Sequence, residues 1–349
     1  MTLKKRLTLS VSVLFLAALA GCAGDPVLVD NQQSGDTAAK PLVIYSGRNE
    51  NLVGPLIEQY RESTGQDVQV RYGETAEMAS TILEEGANSP ADVFYGQDAG
   101  ALGALAKEGR LAKLPADILN RVDSRFRSDD DLWVGSSGRA RVLVYNTDEL
   151  SEADLPADIW GLTEEQWRGK IGWAPTNGSF QAFVTALRRI EGEDRAREWL
   201  TAMLANDVKA YPNNDSIVTA VGSGEIPAGL VNHYYLLEFK AEKGDDFPAQ
   251  NYYFPAGGAG NLVNVAGAGV INTSDNQAAA EQFVTFLLSD EAQNYFASTT
   301  YEYPLAGKDI PLNPAVKPLS EINAPGIDLT NLDDLQGTLT LLQEVGALN

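Results

Sequence analysis

Apolar and polar positions follow two periods along this chain, and the period switches repeatedly. Residues 41–46 form a β-rich apolar run, and in 52–60 the side chains of Leu52, Leu56, Ile57 and Tyr60 recur near helical spacing. Residues 67–72 alternate as a strand, 75–85 read as a helix, 91–95 as a short strand and 99–107 as a helix. This order predicts a mostly parallel sheet with helices on both faces. Ligands of such sheets bind off the carboxyl ends of the strands, here 46–51, 73–75 and 96–98.

A second α/β region is expected from about 145 to 262, with helices at 181–190 and 194–204 and a strand at 226–232. The β-rich stretches 139–145 and 262–271 flank it and read as strands crossing between two lobes. A helix at 276–288 then returns to the first lobe. Roughly 310 residues beyond residue 40 exceed the size at which a single core is usual, which also argues for two lobes.

The N-terminus has a different pattern. Lys4, Lys5 and Arg6 precede an uncharged apolar run, 7–20, that is too short to span a bilayer and has the length of a signal-peptide core. It ends in Leu19-Ala20-Gly21-Cys22, which resembles the lipobox of bacterial lipoproteins. That resemblance implies a signal peptide over 1–21 and a lipid on Cys22. Residues 22–40 are small and polar and read as a flexible tether. Cys22 is the chain's single cysteine, so no internal disulfide is expected. No later stretch is apolar and long enough to cross a membrane.

Composition narrows the function. A formal net charge of −22 repels phosphate backbones and argues against nucleic-acid binding. The chain has one histidine, His233, so any Ser-His-Asp or Cys-His arrangement would have to use it. No GxSxG, Walker A or HExxH pattern appears. A secreted hydrolase therefore has no positive sign, and a non-enzyme is expected. The informative segment is Val231-Asn232-His233-Tyr234-Tyr235, directly after an apolar strand. Adjacent tyrosines at a strand end are by default one core ring and one surface ring. Phenolate is, however, a hard oxygen donor suited to Fe³⁺. With a pKa near 10, tyrosine becomes an anionic ligand at neutral pH only beside a strongly charged metal.

From Leu42-Val43-Ile44-Tyr45-Ser46-Gly47-Arg48 onward the globule resembles the ferric-iron-binding proteins that serve bacterial ABC importers. The resemblance passes through Ala91-Asp92-Val93, Gly138-Arg139-Ala140-Arg141-Val142-Leu143-Val144-Tyr145-Asn146 and Trp167-Arg168-Gly169-Lys170-Ile171-Gly172. It continues through Asn232-His233-Tyr234-Tyr235 and Tyr301-Glu302-Tyr303-Pro304-Leu305. It implies a two-lobed periplasmic-binding-protein fold of type II, each lobe a mostly parallel sheet flanked by helices. The lobes would comprise 41–142 with 265–315, and 143–264 with 316–349. It also implies capture of Fe³⁺ between the lobes, delivery to an importer's permease and a monomeric state. The site would be the outer face of the cytoplasmic membrane or the periplasm.

The resemblance places the family's paired tyrosine ligands on Tyr234 and Tyr235 and a further one on Tyr145. Arg48 matches an arginine that accompanies the iron or its anion. The anion-holding loop matches Asn177, Gly178 and Ser179, with Asn214 and Asn232 beside it, and the anion would be carbonate or phosphate. In the first lobe the chain departs from the pattern: Asn49 replaces a histidine ligand and Gln97 a glutamate. Glu50 is then the candidate ligand there. His233 is expected to point away from Tyr234 in a strand and to serve structure. A binding protein of the same fold for an organic cation, an anion or a chelated metal is the alternative.

Overall fold

The computed structural model describes residues 40–348; residues 1–39, including Cys22, the expected signal segment and nearly all of the tether, lie outside the described residues. Strands and helices alternate as the hydrophobic pattern predicts. The first lobe opens with β1 (Leu42–Ser46), α1 (Glu50–Thr64), β2 (Val68–Tyr72), α2 (Thr75–Glu85), β3 (Val93–Gly96) and α3 (Ala99–Lys107). A short α4 (Ala116–Leu119) leads to the long strand β4 (Val134–Asn146). The second lobe holds β5 (Ile171–Trp173), α5 (Gly178–Glu191), α6 (Glu193–Ala205), β6 (Lys209–Ala210), α7 (Asn214–Gly222), β7 (Ala228–Asn232), α8 (His233–Lys243) and β8 (Ala249–Tyr252). Strand β9 (Val263–Val270) leads back to α9 (Gln277–Leu287), α10 (Asp290–Ser298) and β10 (Tyr303–Pro304), and α11 (Leu335–Glu344) ends the chain.

The strands run in the order β2-β1-β3-β9-β4-β7-β5-β6, with β8 and β10 also pairing with β4. β1 is parallel to β2 and β3, and β5 is parallel to β6 and β7. Two parallel halves are thus joined by the antiparallel strands β4 and β9. Strand β4 changes partner midway: Val134 to Ala140 pair with β9, and Arg141 to Asn146 pair with β7 and β8. The architecture is the expected α/β, two-lobed binding-protein fold with crossover strands.

β4 starts five residues earlier than its apolar pattern suggested, because Val134-Gly135-Ser136-Ser137-Gly138 does not read as a strand. Packing explains the small residues. A Cβ on Gly135 would stand 2.7 Å from the Phe126 carbonyl oxygen, and one on Gly138 would press on Tyr303 and Leu305 at 3.2 Å. All of β4 is buried.

Each lobe has its own aromatic core. Trp173, Phe180, Phe183 and Trp199 meet edge to face in the second lobe, with Trp173–Phe180 centroids 5.3 Å apart and Phe183–Trp199 5.4 Å. In the first, Tyr60 of α1 meets Phe283 of α9 at 5.2 Å, so α9 does return there. Burying each such ring stabilises by about 1.5–3 kcal/mol. The C-terminal segment touches both lobes. Leu329–Leu332 and α11 pack on α3 and α5, and Asp333 pairs with Arg189 and, more loosely, with Lys107.

Candidate functional site

Six helices begin where the parallel strands end: α1, α2 and α3 in the first lobe, α5, α7 and α8 in the second. The starts of α2, α3 and α5 meet at the junction of the lobes, and that of α7 joins α5 there. Gly178, which opens α5, leaves no room for a Cβ. Such an atom would stand 2.8 Å from Asp98 Oδ2 and 2.9 Å from Thr75 Cβ, at the starts of α3 and α2. Each helix start offers unpaired N–H groups and a positive dipole end.

Tyr234 and Tyr235 lie in the first turn of α8, directly beyond β7. The expected strand geometry therefore does not hold, and residues 233–235 fan out at helical rather than alternating directions. Both tyrosines are buried and their rings stack, with centroids 4.3 Å apart and planes 29° apart. The Tyr234 hydroxyl is buried without a hydrogen-bond partner. Burial, opposed by Arg48 and reinforced by Glu302, pushes the Tyr234 phenol up to about 12. Burial, then Tyr234 and Asp215, hold Tyr235 well above its ordinary value. Both are neutral phenols at pH 7, and only a strongly charged cation would deprotonate them.

His233 serves structure, as expected, through contacts that a strand would not have given. Its Nδ1 accepts the Ala140 N–H at 3.2 Å, which makes Nε2 the donor to the Tyr301 carbonyl at 2.9 Å. Burial lowers its pKa to about 4, so the ring is neutral. It pins the start of α8 to the crossover strand and to Tyr301, a non-glycine residue held at φ +56°.

Arg48 and Arg139 supply the positive charge. Arg48 donates from Nη2 to Glu302 at 2.6 Å, inside the protein, while its Nε and Nη1 have no partner. Glu302 also accepts from Ser137 and Thr300. Arg139 is 1% exposed, and Nε, Nη1 and Nη2 all lack partners. Its charge is felt among Tyr234, Arg48, Asp98 and Glu302. Arg141 lies over the rings of Phe180 and Phe183 at 5.3 and 4.8 Å, and burial followed by Arg139 lowers its pKa to about 9. The amide nitrogens of Gln97, Asn232 and Asn264 and the Tyr95 hydroxyl are likewise buried and unpartnered. Such groups are scarce in folded proteins, and a cluster of them marks a place prepared for a ligand.

The residues of the expected anion loop hydrogen-bond to one another. Asn177 Oδ1 accepts from the Ser179 N–H at 3.1 Å, the Ser179 hydroxyl at 2.6 Å and Asn214 Nδ2 at 3.2 Å. Asn232, at the end of β7, pairs with Arg141 across the sheet.

Two expected ligands are not brought to the tyrosine pair. Tyr145 pairs with Ala228 at the far end of β7, four residues (about 13 Å) along the strand from the Arg141–Asn232 pair. Its hydroxyl donates to Gln250 at 3.3 Å, and Glu152 is its charged neighbour. Glu50 is exposed in the first turn of α1, and Asn49 caps that helix by accepting the Asn51 N–H. Conversely, sequence reasoning did not single out Arg139 or Glu302, and placed Asp98 only as an acid one position from Gln97. Their signal was a lone charge inside an otherwise small or apolar stretch.

Among the described residues no group of three or more His, Cys, Asp or Glu side chains could hold a metal ion. Larger surface grooves exist, one of about 770 Å³ bordered by Leu236, Lys240, Tyr252 and Lys317, but neither tyrosine lines it. The tyrosine pair is enclosed between the lobes instead.

Residues 55–324 match the family described as bacterial extracellular solute-binding protein. The chain is 31% identical over 314 residues to the Fe(3+)-binding periplasmic protein of Serratia marcescens, covering 89% of this chain and 92% of that one. It is 33% identical to the major ferric iron-binding protein of Neisseria meningitidis serogroup B, over 89% and 95% of the two chains. The crystal structure of iron-bound HitA from Pseudomonas aeruginosa superposes with a TM-score of 0.83 at 35% identity, over 88% and 99%. The chain belongs to the family of bacterial extracellular solute-binding proteins.

Proposed function

We propose that this protein captures ferric iron between its lobes through the phenolates of Tyr234 and Tyr235 and delivers it to the permease of an ABC importer. The observation that carries the reading is the stacked tyrosine pair, with a buried, unpartnered Tyr234 hydroxyl, at the junction of the lobes. Two hard anionic oxygens on adjacent residues suit a trivalent ion. The names of the relatives from Serratia and Neisseria support the same cargo. Iron is the transported substrate, bound and released without being chemically converted.

The nitrogens left unpaired on Arg48 and Arg139 call for negative charge in the cleft beyond the two phenolates. A small oxyanion such as carbonate or phosphate, the acidic groups of a chelator, or a carboxylate of the protein itself would supply it when the metal binds. The lobes, taken as 41–142 with 265–315 and 143–264 with 316–349, close on the cargo. Closure signals loading because the cargo favours the closed state. Cys22 would carry the lipid that holds the monomer at the outer face of the cytoplasmic membrane or in the periplasm.

The test is a ferric titration followed by visible absorbance, run on the wild type, Tyr234→Phe and Tyr235→Phe. Phenolate ligation predicts a broad charge-transfer band in the wild type and its loss or strong shift in both variants. An unchanged band in both would return these rings to the core.

A further inference from the structure

The cradle at the start of α5 is already faced by a carboxylate. Asp98 caps α3, and its Oδ1 accepts the Ala101 N–H at 2.9 Å. Oδ2 points the other way, 2.8 Å from where a Gly178 Cβ would stand, so it rests against the first residue of α5. Asn177 engages the Ser179 N–H with its side chain and the Phe180 and Gln181 N–H groups with its carbonyl. The Gly178 N–H is left without a partner inside the helix. A second observation points to the same spot. Arg139 is buried, keeps all three guanidinium nitrogens unpartnered, and has Asp98 among the charges around it. The other buried acids are committed elsewhere: Asp92 to Val43 and Ser274, and Glu302 to Arg48, Ser137 and Thr300.

We propose that Asp98 is a built-in anion for the α5 cradle. Closing the lobes brings the positive start of α5 onto its carboxylate, which already lies near Arg139 in the first lobe, where a free oxyanion would otherwise neutralise both. Asp98 touches no cargo; it is a positioning residue that couples closure to charge balance. Gly178 is small because a side chain there would push Asp98 and Thr75 away. Facing α5, the first lobe's acid is thus Asp98, and not the exposed Glu50. For this chain, an added oxyanion strengthens metal retention only modestly.

The inference rests on ferric capture in this cleft, and the experiment separates the two. Iron-loaded wild type and Asp98→Asn are mixed with excess strong chelator in carbonate- and phosphate-free buffer, with and without added phosphate or carbonate. Asparagine is an equally good helix cap, so α3 should survive, and a thermal melt checks this. Loss of a buried charge at a helix start predicts release about tenfold faster in Asp98→Asn without anion, with phosphate or carbonate restoring the wild-type rate. The wild-type rate should move by less than about threefold under the same additions. Equal rates for both proteins without anion, or an Asp98→Asn defect that neither anion repairs, overturn the proposal. A wild type that needs added anion as strongly as the variant does so too. A chain that takes up no iron at all would instead refute the capture reading.

Discussion

Tyr234 and Tyr145 flank the same pair of strands and differ in almost everything that decides chemistry. Tyr145 sits near the end of β4 with its hydroxyl given to Gln250 and a carboxylate, Glu152, as neighbour. Tyr234 opens a helix at the other end of β7, stacked on a second tyrosine, its hydroxyl unpaired and two guanidinium groups close enough to act on it. A phenol that already has a partner and faces negative charge has little reason to become a phenolate. A phenol held without a partner among cations is prepared for a metal to deprotonate it. Residue type and a shared sequence motif do not separate the two cases; position along the strand does.

The contrast can be broken most sharply at the hydroxyls. Tyr234→Phe should lower ferric affinity by more than about a hundredfold, beyond the usual cost of disturbing a ligand's support. Tyr145→Phe should leave affinity within about twofold and cost about 1 kcal/mol of stability for one hydrogen bond. Competition against a chelator measures the first quantity and urea unfolding the second. Equal losses of affinity would erase the distinction drawn here.

Removing what surrounds Tyr234 should matter next. Glu302→Gln leaves Arg48 buried without its counter-charge, and breaking such a pair by one partner costs about 3–5 kcal/mol. The shift in the urea midpoint of the metal-free protein reads this directly. A loss below about 1 kcal/mol would mean that water reaches Arg48 and that the cleft is less closed than described.

His233 gives a smaller, pH-dependent effect. Its pKa falls from 6.5 to about 4 on folding. The unfolded chain therefore takes up the proton first, and stability from this residue is complete above about 6.5 and drains away as pH falls toward about 4. The full loss is about 3 kcal/mol. His233→Gln should be less stable than wild type at pH 7, and the gap should narrow near pH 4.5, as read by urea unfolding at both values. A constant gap would show that burial does not hold the ring neutral.

Much of the fold could be read from the chain. The alternation from Leu42 to Lys107 gave the first lobe's strands and helices in order, with ends within about four residues, and the two β-rich flanks proved to be crossover strands. The start of β4 was hidden, because Gly135 and Gly138 are chosen for close packing against Phe126, Tyr303 and Leu305 and carry no strand signal. The start of α8 was hidden for a related reason. Asn232 caps it without a side-chain hydrogen bond, and two tyrosines favour a strand as readily as a helix turn. Tyr234, Tyr235, Arg48 and the Asn177–Ser179 loop were legible through resemblance. Arg139 and Asp98 were not, since their importance lies in burial and in contacts between segments far apart in sequence.

The central claim is that iron is held by phenolates, and proton release tests it most directly. Tyr234 is a neutral phenol far above pH 7, with its pKa pushed up to about 12, and Tyr235 is shifted the same way. Ferric iron is added as a chelate of known proton stoichiometry while the pH and the visible band are recorded together. Ligation by both residues predicts release of about two protons per iron bound, in step with growth of the band, and affinity that rises with pH throughout. Iron uptake with neither proton release nor a charge-transfer band would contradict the account.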